Sequence, residues 1–283
     1  MRLRNLLKVI NENKQLKVGC SMLALLLITA LFAPVIAPHD PNVLSDDMVV
    51  GPSMKYLLGT DGLGRDIFSM ILYGARTSLI VGFTAAMIAG IIGTLLGGFA
   101  GYFGGKMDAI IGEMINIFMM MPTFFLILIV VALFGSGLFN VMVVIGLTTW
   151  VGNAKLMRAQ AMSLRERTFI KSAESIGESK IAILFKHIIP NGIFPIIANT
   201  TMGVSGAILC ESSLAFLGLG DPNVISWGQI IQNGKSYLVD GWWICVFSGL
   251  VIIFTVVTFY LIGDGLNRVL SPKLRNLGKE VRG

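Results

Sequence analysis

KSAESIGESKIAILFKHIIPN, residues 171–191, stands between two long apolar stretches and is itself polar, yet its apolar residues keep helical spacing. Phe169, Ala173 and Ile176 fall three or four apart before Gly177, and Ile181, Leu184, Phe185 and Ile188 do so after it. Lys171, Ser172, Glu174, Glu178 and Lys186 fall mostly elsewhere around the helix. Gly177 can take the left-handed conformation that ends one helix, Ser179 can cap the next, and Pro190 is expected to stop that second helix after roughly three turns. The spacing predicts two short helices meeting at a glycine, an ordered docking element rather than a passive connection.

What flanks this element is membrane-like. Charged residues are 13% of the chain, against a usual figure of about 25%. A bilayer span takes about 20 mostly apolar residues. Uncharged runs of that size occupy residues 18–39, 77–105, 114–154, 188–210 and 241–263. The third is long enough for two spans, and Gly135-Ser136-Gly137 divides it as a hairpin, so six transmembrane helices are expected. Pro122, after Met119-Met120-Met121, is expected to kink the third. The methionines point in different directions around a helix, which suits packing better than a metal cluster.

Lysine and arginine set the orientation. Of the 22 such residues, all but Lys55, Arg65, Arg76 and Lys235 fall before the first span, at Lys106, between Lys155 and Lys186, or after Asp264. Cationic loops stay inside, so both termini are expected in the cytoplasm. The net charge of +6 then needs no nucleic-acid partner. The first run extends past the length of a signal-peptide core and is read as a span. Cys20, Cys210 and Cys245 show no disulfide or metal spacing and read as packing residues.

Residues 171–191 resemble the cytoplasmic loop of ABC-importer permeases: Gly177, nine residues, His187, then Pro190 keep that family's spacing, while Lys171 and Ser172 replace its usual Glu and Ala. Further blocks sharpen the likeness to the C-type permease subunit of peptide, nickel and metallophore importers. They are LGTDGLGRDIFSMILYGARTSLIVG (58–82), SLRERTF (163–169), ESSLAFLGLG (211–220), SWG (226–228) and GDGLNRVLSPKLR (263–275). The resemblance implies an all-α integral membrane protein with the type I ABC-importer permease fold and cytoplasmic coupling helices. Its parts would be a cytoplasmic segment 1–17, a first span 18–38, an extracytoplasmic loop 39–76, a five-helix core 77–270 with coupling loop 155–190, and a cytoplasmic tail 271–283.

It further implies a bacterial inner-membrane location and half of a translocation pathway for peptides, with nickel or a metal-chelator complex as the alternative cargo. The implied partners are a second, different permease, two cytoplasmic ATPases that hold ATP and Mg, an extracytoplasmic solute-binding protein, and membrane lipid. No cofactor is expected on this subunit. ATPase coupling would fall to Lys171, Ser172, Ala173, Gly177, Ile181, Leu184, Phe185, His187 and Pro190.

Three features remain. Gly93, Gly97 and Gly101 recur every fourth residue and make a groove for close helix packing, static or moving. Glu211 near mid-span would cost on the order of 3 kcal/mol if bare and charged, so it is paired, neutral or on an aqueous path. The block 58–82 is either an extracytoplasmic cap or a solute contact. No catalytic set or metal site emerges: Asn233-Gly234-Lys235-Ser236 lacks the first glycine of a phosphate loop, residue 229 being Gln229, and His39 with Asp40 is too few ligands. A secondary transporter would carry more mid-span carboxylates and an inverted repeat.

Overall fold

The computed structural model describes residues 13–270, so Arg2, Arg4, Lys8 and the 271–283 tail lie outside the described residues. Among the described residues the regular structure is helical, with no strand beyond one antiparallel bridge between Thr60 and Asp66. Helix α1 (Lys14–Leu31) starts where Asn13 Oδ1 accepts the amides of Gln15 and Leu16, satisfying donors that have no partner inside a helix. A single turn, α2 (Ala33–Ile36), follows it.

The organising element is α3 (Ile67–Phe103), 37 residues long. It begins ahead of the expected 77–105 span, because Asp66 caps it by accepting from the Ser69 amide at 2.9 Å. Residues 67–76, expected in the extracytoplasmic loop, are therefore helical. Along its length α3 packs against α6 (Leu138–Thr148), α7 (Val151–Arg165) and α11 (Phe194–Phe216).

Within a bilayer, lipid tails are as apolar as side chains, so helices gain by close approach more than by burial from water. The glycines of α3 permit that approach. A Cβ on Gly82 would sit 2.7 Å from the Ile208 side chain, and one on Gly90 2.9 Å from Thr200 Oγ1. Both stand on the seam with α11.

Where the third span is expected, the helix is broken rather than kinked. Helices α4 (Gly105–Met120) and α5 (Thr123–Phe134) meet at 86°. Met121 is extended, at φ −99 and ψ 131, as the residue before a proline prefers, and Pro122 has no N–H to continue the ladder. The 135–137 hairpin leads into α6, and Thr149-Trp150 separates α6 from α7. Beyond it come α8 (Thr168–Ser175), α9 (Lys180–Ile183), α10 (Ile189–Gly192), α11, α12 (Trp227–Gly234) and α13 (Trp242–Leu270).

Three of these helices, α1, α3 and α13, are each long and apolar enough to cross a membrane, and the number reaches five if each of two bent pairs counts as one span. At 11 residues, α6 is about 16 Å long and does not cross alone. Four apolar cores follow. One joins α1, α3, α12 and α13 around Trp227 and Phe259, and another gathers Tyr102, Met157, Ile170, Ile183, Leu184 and Ile188 beneath the 168–192 segment.

Candidate functional site

The 168–192 segment has the predicted joint. Gly177 sits at φ +83 with no heavy atom within 4 Å of where a Cβ would stand, so its need for glycine is conformational alone. Ser179 Oγ accepts the Ala182 amide at 3.3 Å and starts α9. Pro190 does not stop the second helix as expected. The turn before it, residues 184–188, widens to a π-helical turn, the helix runs on through Gly192, and it then bends by 63° into α11. The wider turn gives room at a residue that lacks an N–H, and Asn191 Nδ2 donates to the His187 carbonyl.

The coupling candidates divide into two groups. Ala173 and Leu184, with Ile170, Ile183 and Ile188, are buried and anchor the segment against α3 and α7. Lys171, Ser172, Gly177, Ile181, Phe185 and Pro190 are exposed, as is Ile176, 83% accessible at the tip. A bare isoleucine beside a left-handed glycine makes an apolar knob, a shape that seats in a groove.

His187 is half-buried and closes the two arms of the joint, donating from Nε2 to Glu178 Oε2 at 2.8 Å, with Lys186 Nζ 3.4 Å from the other oxygen. That hydrogen bond from His187, aided by Lys186, holds the Glu178 carboxyl below its usual range. Lys171 lies 3.2 Å from Glu166 and lowers the Glu166 pKa likewise. Tyr102, at the end of α3, donates to Glu174 Oε1 at 3.1 Å.

Gly93, Gly97 and Gly101 all face α7. A Cβ at these positions would run into the Asn153 side chain, the Ala154 carbonyl and the Arg158 carbonyl, respectively. Arg158 in turn grips Asp108 with two hydrogen bonds, one of 2.8 Å, tying α7 to α4. Among the described residues the Glu113 carboxylate accepts one hydrogen bond, from Asn116 Nδ2 at 3.4 Å. Nothing in the sequence flags Asp108, because its partner lies 50 residues away.

Glu211 is 4% exposed. Ser226 Oγ donates to its Oε1 at 2.7 Å and Ser212 Oγ to its Oε2 at 3.4 Å. The same Ser226 oxygen accepts the Gln229 amide and caps α12, so one hydroxyl joins the intramembrane carboxylate to a helix start. Trp227 then donates from its backbone to Ser78 Oγ and from Nε1 to the Ile71 carbonyl. A Cβ on Gly228 would lie 2.5 Å from Ser212 Cα. The Ser-Trp-Gly block therefore wedges α12 between α3 and α11. Its carboxylate partner was one of the readings left open by the sequence.

Residues 58–66 form a knitted cap. Asp61 accepts from the Leu63 and Arg65 amides at 2.9 Å each and pairs with the Arg65 guanidinium at 2.6 Å. Trp243 Nε1 donates to the Thr60 carbonyl at 3.1 Å. His39 Nδ1 lies 3.7 Å from Asp66, and among the described residues no cluster of three or more potential metal ligands occurs.

Residues 93–276 match the family described as binding-protein-dependent transport system inner membrane component. Over 89% of this chain and 85% of the relative, the sequence is 36% identical to a probable D,D-dipeptide transport system permease protein of Escherichia coli. Over 96% and 90% it is 36% identical to a dipeptide transport system permease protein of Alkalihalophilus pseudofirmus. A glutathione transport system permease protein of Escherichia coli is 39% identical over 89% and 84%. Among solved structures, an inward-facing MetNI methionine ABC transporter matches with a TM-score of 0.54 at 20% identity, covering 72% of this chain and 98% of that one. At that identity the likeness speaks to the fold.

Proposed function

The chain belongs to the binding-protein-dependent transport system inner membrane component family, and from that premise we propose that it forms half of the pathway of an ATP-driven importer of short peptides. The observation that carries the cargo is near full-length similarity to permeases named for dipeptides and for glutathione, a tripeptide; these names do not favour the nickel alternative. The subunit is a multi-pass membrane permease, not an enzyme, and ATP hydrolysis resides in partner ATPases that work with a solute-binding protein.

The finer arrangement is part of the proposal. Counting α4 with α5 and α6 with α7 as one span each, beside α1, α3, α11 and α13, gives six, with both termini cytoplasmic and the 168–192 segment inside. A second, different permease completes the pathway. ATP and Mg stay on the ATPases, and no cofactor sits on this chain. The segment's exposed Ile176, Ile181 and Phe185 enter an ATPase groove, and the exposed Arg167 can meet acidic residues at its rim. ATPase closure then moves the segment, and the bend at Ile193 passes the motion to α11, rocking the pathway between its two open sides.

The test is expression with the partner subunits, purification on a tag carried by this chain, and uptake of labelled dialanine into liposomes. Absence of copurifying ATPase removes the importer assignment, whereas ATPase without dialanine uptake or binding removes the cargo. Orientation is read separately: a cysteine in place of Ser45 or Ser236 should react with an impermeant reagent from outside, and one in place of Ser172 should not. Outside labelling at 172 overturns the six-span arrangement.

A further inference from the structure

Between α3, α5, α7 and α11 lies a cavity of about 310 Å³. Its lining contains no charged residue. Hydrogen-bonding groups come from Thr123, Thr149, Asn153, Asn199 and Thr200. Asn199 Nδ2 donates to Asn153 Oδ1 at 2.9 Å and Thr200 Oγ1 to the same oxygen at 3.4 Å. Asn153 is only 4% exposed. Its oxygen accepts both bonds, and Asn153, Asn199 and Thr200 all line the cavity.

Two glycines on the α11 wall differ in kind from those on α3. At Gly206 an added Cβ would meet nothing within 4 Å, and at Gly203 only the Ala86 Cβ at 3.9 Å. Neither position is tightly packed, so their missing side chains leave volume. Gly93, opposite, has Asn153 Cβ pressed against it, which fixes the carboxamide in place.

We propose that this cavity is the permease's own solute-contact site, where Asn153, Asn199 and Thr200 exchange hydrogen bonds with backbone amides of a short peptide. Closure by the second permease completes it. The chemistry follows from the lining. Carboxamides and hydroxyls both donate and accept, as a peptide bond requires, and no fixed charge selects side chains. Bare glycines admit side chains of varied size. The inference rests on the peptide-importer reading.

The experiment uses the complete importer in liposomes with trialanine as probe. Trialanine binding by the isolated binding protein tests the peptide reading by itself, and failure there overturns the amide chemistry proposed for the cavity. Gly206→Cys, with Cys20, Cys210 and Cys245 replaced by Ser, should react with a water-soluble methanethiosulfonate. Trialanine-loaded binding protein plus ATP should slow that reaction about five-fold. Gly206→Trp should lower trialanine uptake about ten-fold or more while binding-protein-stimulated ATP hydrolysis persists. Gly249→Trp, at an equally open glycine on α13, should import normally. An unreactive thiol, reaction at an unchanged rate with loaded binding protein, or normal uptake by Gly206→Trp overturns the site. Equal losses in both Trp variants do so as well.

Discussion

The 39–66 cap and the 168–192 segment are both polar, glycine-punctuated excursions from the spans, and they are held in opposite ways. In the cap three buried polar groups, Thr60, Asp61 and Asp66, stand beside the buried Tyr56, each of the three tied to backbone or to a neighbouring side chain, and Trp243 clamps the Thr60 carbonyl. In the 168–192 segment the buried groups are apolar, and the ion pairs among Glu166, Lys171, Glu178 and Lys186 lie at its surface. Hydrogen bonds with fixed geometry hold one shape. Apolar anchors under an exposed knob hold a body in place while leaving its outer face available to another protein.

The sharpest way to break that contrast is Trp243→Ala. The indole is buried, lies against Gly59 and donates to Thr60, so its loss should destabilise the subunit by about 3–5 kcal/mol. Thermal unfolding of the purified complex reads this. Ile176→Ala should leave the same transition within about 0.5 kcal/mol of wild type and weaken ATPase retention instead. Equal shifts in the two variants erase the distinction.

Glu211 tests how far the packing around α12 depends on its polar ties. Glu211→Leu leaves Ser226 without its acceptor at a cost of about 1–3 kcal/mol, seen as reduced assembly. Glu211→Gln keeps an oxygen for Ser226 and should preserve assembly and transport. A well-assembled Gln variant that transports nothing points to a role for the charge itself.

Gly177→Val comes next. A β-branched residue at φ +83 is strained by roughly 1–2 kcal/mol, confined to the joint between α8 and α9. The spans should insert and the cap should keep its melting behaviour, while uptake and stimulated ATPase activity fall. Gly177→Ala should be milder. Normal uptake and ATPase stimulation in the Val variant take the joint out of coupling.

The smallest effect is on pH. Because the folded-state value of Glu178 is lowered by His187 and then Lys186, its contribution is complete above the unfolded value of about 4.3. It disappears as pH falls through the lowered folded value. ATPase retention should therefore be unchanged by this carboxyl from neutral pH down to about 5, with loss only below. Glu178→Gln should flatten that acid limb, and an unchanged limb excludes the pair.

Much of this was legible. The Gly177 joint and the Ser179 cap follow from local chain preferences and appear as read. Periodicity also places Ala173 and Ile176 on one helical face. It does not say which part of that face meets the rest of the protein, and the structure buries Ala173 while leaving Ile176 bare. Pro122 signals an interruption, but its 86° angle depends on what α4 and α5 pack against. Arg76 looked like a boundary because a charge sits badly in a span. Its guanidinium instead donates to the Ala30 and Leu31 carbonyls at the end of α1, so the helix carries it without interruption. Asn153 with Asn199, and Asp108 with Arg158, are pairings between distant stretches that no local pattern encodes.

Helix α3 has a further consequence through its length. From Arg76 inward it runs uncharged for its last 27 residues, 77–103, about 40 Å of rod for a hydrocarbon layer about 30 Å thick. A rod of that length either leans by roughly 40° or emerges into the headgroups. Because α7 and α11 are fitted to its glycines, neither adjustment is local. Bilayer thickness is thus a mechanical load on the whole subunit, and lipids of different chain length should change transport rate without touching any solute or nucleotide contact.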